Sequence, residues 1–305
     1  MCRMLGYLGT PVLLDHLLYA PDSSLLKQTV DAQMLGMLNL AGFGLAAWND
    51  DWPDPAMPIC YRNSQVAIFD RNLQALARKV SAGSLIAHLR GVPYRSETQV
   101  GQECLHPFRF DGVPVAIAHN GDLADFDRMR FDLIDHIRPQ FARQIHASTD
   151  SAWLHALIIS ALDDPAGPQT PDSLLRAIST ALNVVRRARE RNGIHRSSSV
   201  NLIVGDGRNL VASRFTFDFG RFDAAPFQGG VDYLSQWYTM GHAYGLHDAE
   251  WKMIGGARDA DSVLVASEPL TRDISTWVEL PEYSALLVSR GDDGACASRI
   301  VALDV

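Results

Sequence analysis

Only four cysteines occur in the 305 residues, Cys2, Cys60, Cys104 and Cys296, and none stands in a CxxC pair. A chain this long, 47% apolar, builds its core without covalent staples, so the four read as reduced thiols in a cytosolic compartment. No apolar run approaches the roughly 20 residues that a bilayer span requires. Asp15 and His16 interrupt the one early apolar run, which argues against a secretory signal. These absences predict a soluble, cytoplasmic protein that makes no use of a membrane. Positive charge is also in short supply, with 27 Lys and Arg against 35 Asp and Glu and a net charge of −8. With no basic stripe or arm, nucleic acid is excluded as an expected partner. The one basic cluster, Arg186-Arg187-Ala188-Arg189-Glu190-Arg191, reads as the solvated end of a helix. There is neither a P-loop pattern nor a convincing GxGxxG, which leaves no nucleotide-binding segment.

What is present is a series of short β-like runs: 3–9, 43–48, 84–89, 113–119, 200–204, 210–215, 262–266 and 285–289. Several are continuously apolar, the pattern of strands covered on both faces. Helical spacing marks Pro11–Tyr19, with a proline in its first turn, and then Asp150–Leu162 and Pro171–Arg191. The stretches NDDWPDPAMP (49–58) and DDPAGPQTP (163–171) are loops. No repeat or linker is visible, so residues 1–305 read as a single domain. Two consecutive helices flanked by strand runs suggest a helix pair between two sheets.

Four polar stretches interrupt this apolar logic. Cys2 directly follows Met1, His88 and Arg90 end an apolar strand in AHLRG, His119-Asn120-Gly121 follows the run Val-Ala-Ile-Ala, and Asp150 opens a helix in ASTDSAW. Each has an ordinary explanation. Asn-Gly after a strand is a turn signal, and Ser148 with Asp150 fits a helix cap. His88, His119 and the His106 of LHPF read singly as hydrogen-bonded structural or loop histidines.

Taken together they have a different chemistry. Loss of Met1 would leave Cys2 with both a thiol and an α-amine of pKa near 8, a nucleophile carrying its own base. A guanidinium fork at Arg90 suits a carboxylate, and the acid Asp150 suits an ammonium. The amide of Asn120 and the N–H of Gly121 can serve a developing oxyanion. Nucleophile, amino-acid clamp and oxyanion hole make a site for cleaving an amide on an amino-acid side chain.

The ordered set MCRMLGYLG, AHLRG, CLHPF, AHNGDL and STDS resembles the class II glutamine amidotransferases, the N-terminal nucleophile glutaminases. VLVASEPLTRDISTWVELPEYSALLV (263–288) extends the likeness over most of the chain. Within the family it is similar to the stand-alone γ-glutamyl amide hydrolases of ergothioneine synthesis and glutathione breakdown. The resemblance implies an α+β fold, a four-layer αββα sandwich with its sheets inside, and no cofactor or metal. It implies Cys2 as nucleophile, Asn120 and Gly121 as the oxyanion hole, and Arg90 and Asp150 on the α-carboxylate and α-ammonium. His106 and His119 line the same pocket. The substrate implied is a small γ-glutamyl amide, with glutamate as product.

Two departures stand against this pattern: Pro93 where the family usually has threonine, and Ala152 where it usually has glutamate. Three further readings stay open. The first is a glutaminase subunit that feeds ammonia to a separate synthase partner, the second a non-catalytic γ-glutamyl-binding module. The third, a metal hydrolase, would draw on His88, His106, His119 and a carboxylate. The aromatic-rich stretch 231–248 reads either as core and loop or as the wall of a pocket for a larger leaving group.

Overall fold

Strand β1, Arg3–Leu13, shows why so many runs are apolar throughout. Met4 and Leu8 point to one side of it and Leu5 and Tyr7 to the other, and all four are buried. The strand therefore lies in a sheet covered on both faces. In this computed structural model, residues 2–34, 38–92, 101–219, 234–256 and 260–305 are described.

The first sheet has seven strands in the order β13-β9-β12-β1-β4-β2-β3. Besides β1 these are β2 (Phe43–Trp48), β3 (Ile59–Asn63), β4 (Ser81–Leu89), β9 (Trp237–Gly241), β12 (Ser262–Ala266) and β13 (Val278–Glu279). The second sheet runs β15-β14-β7-β6-β5, with the short β8 (Thr216–Phe217) also paired to β6. Its other members are β5 (Ala116–Gly121), β6 (Ser198–Gly205), β7 (Asn209–Arg214), β14 (Ser284–Arg290) and β15 (Cys296–Ala302). A separate hairpin joins β10 (Ala243–His247) to β11 (Glu250–Ile254). The strand pairs within both sheets are antiparallel.

The two sheets pack face to face. Met4, Leu8, Ala46 and Ile86 of the first meet Ala116, Ala118, Ile203, Ala212 and Leu286 of the second in one core. Gly6 permits the close approach, because a Cβ there would lie 2.9 Å from Ile203 Cγ2. The outer face of the first sheet is covered by α1 (Leu14–Leu18) and α2 (Arg71–Ala77). Over the second lie the short turns α3 (Phe126–Met129) and α4 (Pro139–Ala142) and the long helices α5 (Asp150–Ala161) and α6 (Pro171–Arg191). The layers are thus αββα, as the resemblance implies. The helix pair lies outside the sheets, not between them. Helix α6 buries Leu174, Ala177, Ile178, Ala181, Leu182 and Val185 along a single stripe. A helix with one apolar stripe cannot be a middle layer, whereas a strand apolar on both faces must be one.

Several local expectations change. The helix expected over 11–19 is strand as far as Leu13, and only Leu14–Leu18 is helical. Pro11 sits where the β1–β4 register shifts between Leu8 and Val12, so no ladder bond needs its missing N–H. The 113–119 run begins later, at Ala116. Strands β3 and β15 escape notice because they are edge strands with exposed residues and no apolar run. The basic cluster is not all solvated: Arg189 is buried and bonded to Ser198 and Asp218. No helix among the described residues is long and apolar enough to cross a membrane.

Candidate active site

Cys2 opens β1, and its thiol lies 3.6 Å from the Gly91 carbonyl oxygen just beyond the end of β4. The β1–β4 register sets Arg3 opposite Leu89 and Met4 opposite His88, which brings Arg90 to the strand start that carries Cys2. Across the sandwich, β5 carries His119, Asn120 and Gly121. Asn120 is on the face of β5 shared with Ala116 and Ala118, towards the first sheet, and its Nδ2 reaches Ser267 Oγ at 3.4 Å. The same hydroxyl accepts the backbone N–H of Met4 at 2.9 Å. The start of β1 and Asn120 therefore meet through one side chain.

Asn120 and Gly121 do not form the tight turn that Asn-Gly suggests by itself. Both are in the β5–β6 ladder, opposite Asn201 and Val200. Gly121 has φ +153°, and a Cβ there would overlap the Ser199 carbonyl oxygen, so the position accepts only glycine.

His119 Nδ1 is 2.8 Å from Ser151 Oγ, which in turn donates to Asp150 Oδ1 at 3.1 Å. Asp150 is the first residue of α5 and follows Thr149, whose side chain makes no cap bond. Its carboxylate instead accepts the N–H of Leu123 at 2.7 Å and that of Ser151 at 2.6 Å. Helix α5 is in this way tied to the loop after β5. The His119 N–H donates to His106 Nδ1 at 3.3 Å, and the His106 ring packs 4.1 Å from that of His88.

The electrostatics of this cluster have two parts. Burial lowers the pKa of every histidine in it, to about 3 for His88 and well below the ordinary range for His106. For His119 the nearby Asp150 opposes the lowering. The Arg90 charge adds to the lowering at His88 and His106. The rings are therefore neutral, with Arg90 as a fixed cation beside them and Arg62 acting on His106 as well. Arg90 is buried, with Nη1 unpartnered, and makes no ion pair among the described residues. The buried Arg3, Arg189 and Arg214 each have a carboxylate, from Glu268, Asp218 and Glu279 respectively. Asn120 Oδ1 is likewise buried without a partner among the described residues.

All seven residues expected at the site, Cys2, Arg90, His106, His119, Asn120, Gly121 and Asp150, are linked to this one end of the sandwich by register or hydrogen bonds. Cys104 is buried, and its thiol pKa is raised by burial while Arg90 acts in the opposite direction. Pro93 lies outside the described residues, as does 231–233 of the aromatic stretch. The neighbouring Ser235 donates to the Ser267 carbonyl at 2.8 Å. Among the described residues no group of three His, Cys, Asp or Glu is placed to hold a metal ion. Sequence reasoning quoted ASEPL but gave no role to Ser267 or Glu268. Two adjacent polar residues after the apolar run Val263–Ala266 were the available signal.

No protein-family model matches the chain. Among solved structures it is similar to a glutamine aminotransferase class-II domain protein of Silicibacter pomeroyi, with TM-score 0.59 and 20% identity over 99% of this chain and 100% of that one. It is also similar to the glutamine phosphoribosylpyrophosphate amidotransferase of B. subtilis, with TM-score 0.57 and 16% identity, covering all of this chain and 50% of that one. The fold is the N-terminal nucleophile fold of the class II glutamine amidotransferase type. A curated relative is the Saccharomyces cerevisiae protein named "Probable glutamine amidotransferase DUG3". It is 27% identical over 310 residues, covering 95% of this chain and 82% of the relative.

Proposed function

We infer that the chain hydrolyses a γ-glutamyl amide through Cys2, releasing glutamate, and that residues 1–305 act as one amidotransferase-type domain in the cytoplasm. The observation that carries this reading is Arg90, a buried guanidinium with no counter-charge among the described residues. A buried unpaired charge is costly to the fold, so its natural partner is an anion that arrives with the substrate. An α-carboxylate, bound bidentately, meets that need. Asp150, half-buried, then takes the α-ammonium.

In this mechanism removal of Met1 frees the α-amine of Cys2, which takes the thiol proton directly or through one water. The thiolate attacks the γ-carbonyl carbon, and Asn120 Nδ2 and the Gly121 N–H receive the oxyanion. Loss of one such donor costs about 100- to 1000-fold in rate. The amine leaves with the proton from the N-terminal group. Water then attacks the γ-glutamyl thioester and returns the thiol. His106 and His119, neutral, line the pocket without adding charge that would compete with Arg90.

A second reading is supported by the B. subtilis neighbour, half of which lies outside the matched region. On that reading the ammonia released from glutamine goes to a separate synthase partner. A non-catalytic γ-glutamyl-binding module is the outcome if no amide is cleaved. The test is glutamate release from glutamine, glutathione and other γ-glutamyl amides. It uses protein whose N-terminal residue is verified by intact mass, with Cys2→Ala as control. Preference for a γ-glutamyl peptide supports the hydrolase, and slow turnover of glutamine alone supports the ammonia donor. No release from any of them, with Cys2 at the N-terminus, sinks the catalytic reading.

A further inference from the structure

The dipeptide Ser267-Glu268, just past the end of β12, holds the first residues of β1 and the oxyanion asparagine at once. Ser267 Oγ accepts from Met4 N at 2.9 Å, and Ser267 N donates to the Met4 carbonyl at 3.0 Å. This two-way clasp fixes the backbone two residues from the thiol. Glu268 is buried and pairs with Arg3 at 3.8 Å, while Arg3 Nη1 donates to the Cys2 carbonyl at 3.1 Å. Glu268 also accepts the N–H groups of Gln33 and Met34, each at 2.9 Å. From the other sheet, Asn120 Nδ2 donates to the same Ser267 Oγ at 3.4 Å.

We propose that Ser267 is the positioning residue that orients the Asn120 amide so that its second Nδ2 proton points at the oxyanion. This rests on the amide-hydrolase reading above. An amide nitrogen has two protons, and committing one to Ser267 fixes the direction of the other. Asn120 Oδ1 is buried without a partner, so nothing else among the described residues holds the amide plane. The 3.4 Å separation is long for this bond, as is common for catalytic hydrogen bonds before substrate charge develops. Ser267 is itself fixed by Ser235, which donates to its carbonyl. Its role is served only in the transition state, because the ground-state substrate has no oxyanion to orient toward.

The test compares wild type, Ser267→Ala and Ser267→Thr on a γ-glutamyl amide that the wild type hydrolyses. Alongside turnover, the rate at which iodoacetamide alkylates Cys2 is mapped by peptide mass, with the exposed Cys60 as internal reference. Alkylation builds no oxyanion and so reports the thiol alone. Ser267→Ala is expected to lower kcat by about 10- to 100-fold, with KM nearly unchanged and Cys2 alkylation unchanged relative to Cys60. Ser267→Thr, which keeps the hydroxyl, is expected to lie well above Ser267→Ala. Unchanged kcat in Ser267→Ala overturns the proposal. So does a parallel fall of turnover and Cys2 alkylation, and so does Ser267→Thr performing worse than Ser267→Ala, since volume and not the hydroxyl would then matter. A wild type that cleaves no γ-glutamyl amide defeats the underlying reading and this proposal with it. An active wild type with an indifferent Ser267→Ala defeats this proposal alone.

Discussion

Arg189 and Arg90 are both buried guanidinium groups, and their surroundings differ in one respect. Arg189, at the end of α6, donates to Ser198 Oγ at 2.7 Å, to Asp218 at 3.1 Å and to the Arg196 carbonyl, and it lies over the Phe217 ring. Its charge is neutralised inside the protein and fixes helix to sheet. Among the described residues Arg90 is held by its backbone, through bonds to Gly42 and Ala41, and its Nη1 has no partner. One charge is used in folding; the other, on the proposed function, is held available for a ligand. A buried cation without an acid is tolerated where binding supplies the counter-charge.

The largest expected effect separates the two arginines by function. Arg90→Met should lower kcat/KM for a γ-glutamyl amide by about 1000-fold, the scale of a lost charge-assisted pair. It should leave the folded protein as stable as the wild type or more so, since an uncompensated buried charge is removed. Free glutamate should raise the thermal midpoint of the wild type and not of Arg90→Met. If the variant binds glutamate as tightly as the wild type, Arg90 is not the carboxylate's partner.

Arg189→Met should do the reverse. Asp218 loses its buried partner, and we expect a loss of about 2 kcal/mol in chemical denaturation, less than for a fully buried pair because Asp218 is partly exposed. In the same variant kcat should fall far less than in Arg90→Met, since Arg189 reaches the loop after β5 only through Ser198, whose hydroxyl accepts the Ala124 N–H. Gly121→Ala tests the catalytic end from the backbone. The overlap with Ser199 and the positive φ should cost about 2 kcal/mol of stability and displace the oxyanion N–H. An alanine variant of wild-type stability and activity would contradict that geometry.

The last effect is spread over pH. His88 and His155, both with pKa pushed down to about 3, stay neutral in the fold at pH values where the unfolded chain's histidines are charged. His106 shifts in the same direction. The unfolded state then binds more protons, so stability is complete above the ordinary histidine value near 6.5. It should fall as pH drops from there toward about 3, by up to about 1 kcal/mol per pH unit for each such histidine. Urea unfolding between pH 7 and pH 5 measures the slope. A flat profile over that range would mean that these rings take up protons in the fold as they do in the unfolded chain.

Much of the site was legible before the fold was known, because its chemistry uses residue types that are out of place in apolar strands. His88, Arg90, His119 and Asn120 stand at the ends of β4 and β5, where an apolar run gives no reason for them. Helices α5 and α6 were legible from spacing, and the fold adds that Thr170 and Ser173 cap each other at the start of α6. Less could be read of the edge strands, whose alternation is weak because solvent replaces one of the two buried faces. Ser267 passed unnoticed because a serine after a strand is ordinary in sequence. Its importance is a matter of which two backbones come within reach of one hydroxyl.

The order of apolar and polar residues by itself determined that there would be two-faced strands, one-striped helices and a set of groups suited to amide chemistry, because those follow from local periodicity and from side-chain functional groups. Only the tertiary structure decided that the sheets lie inside and the helices outside, and that Met4, two residues from Cys2, and Asn120, on different sheets, are joined through Ser267. It alone decided that Arg189 has an acid and Arg90 has none among the described residues. Both are arginines in apolar surroundings, and what distinguishes them is the partner that long-range packing brings within a few ångströms. Electrostatic pairing and hydrogen-bond geometry depend on distance through space, which one-dimensional spacing does not specify.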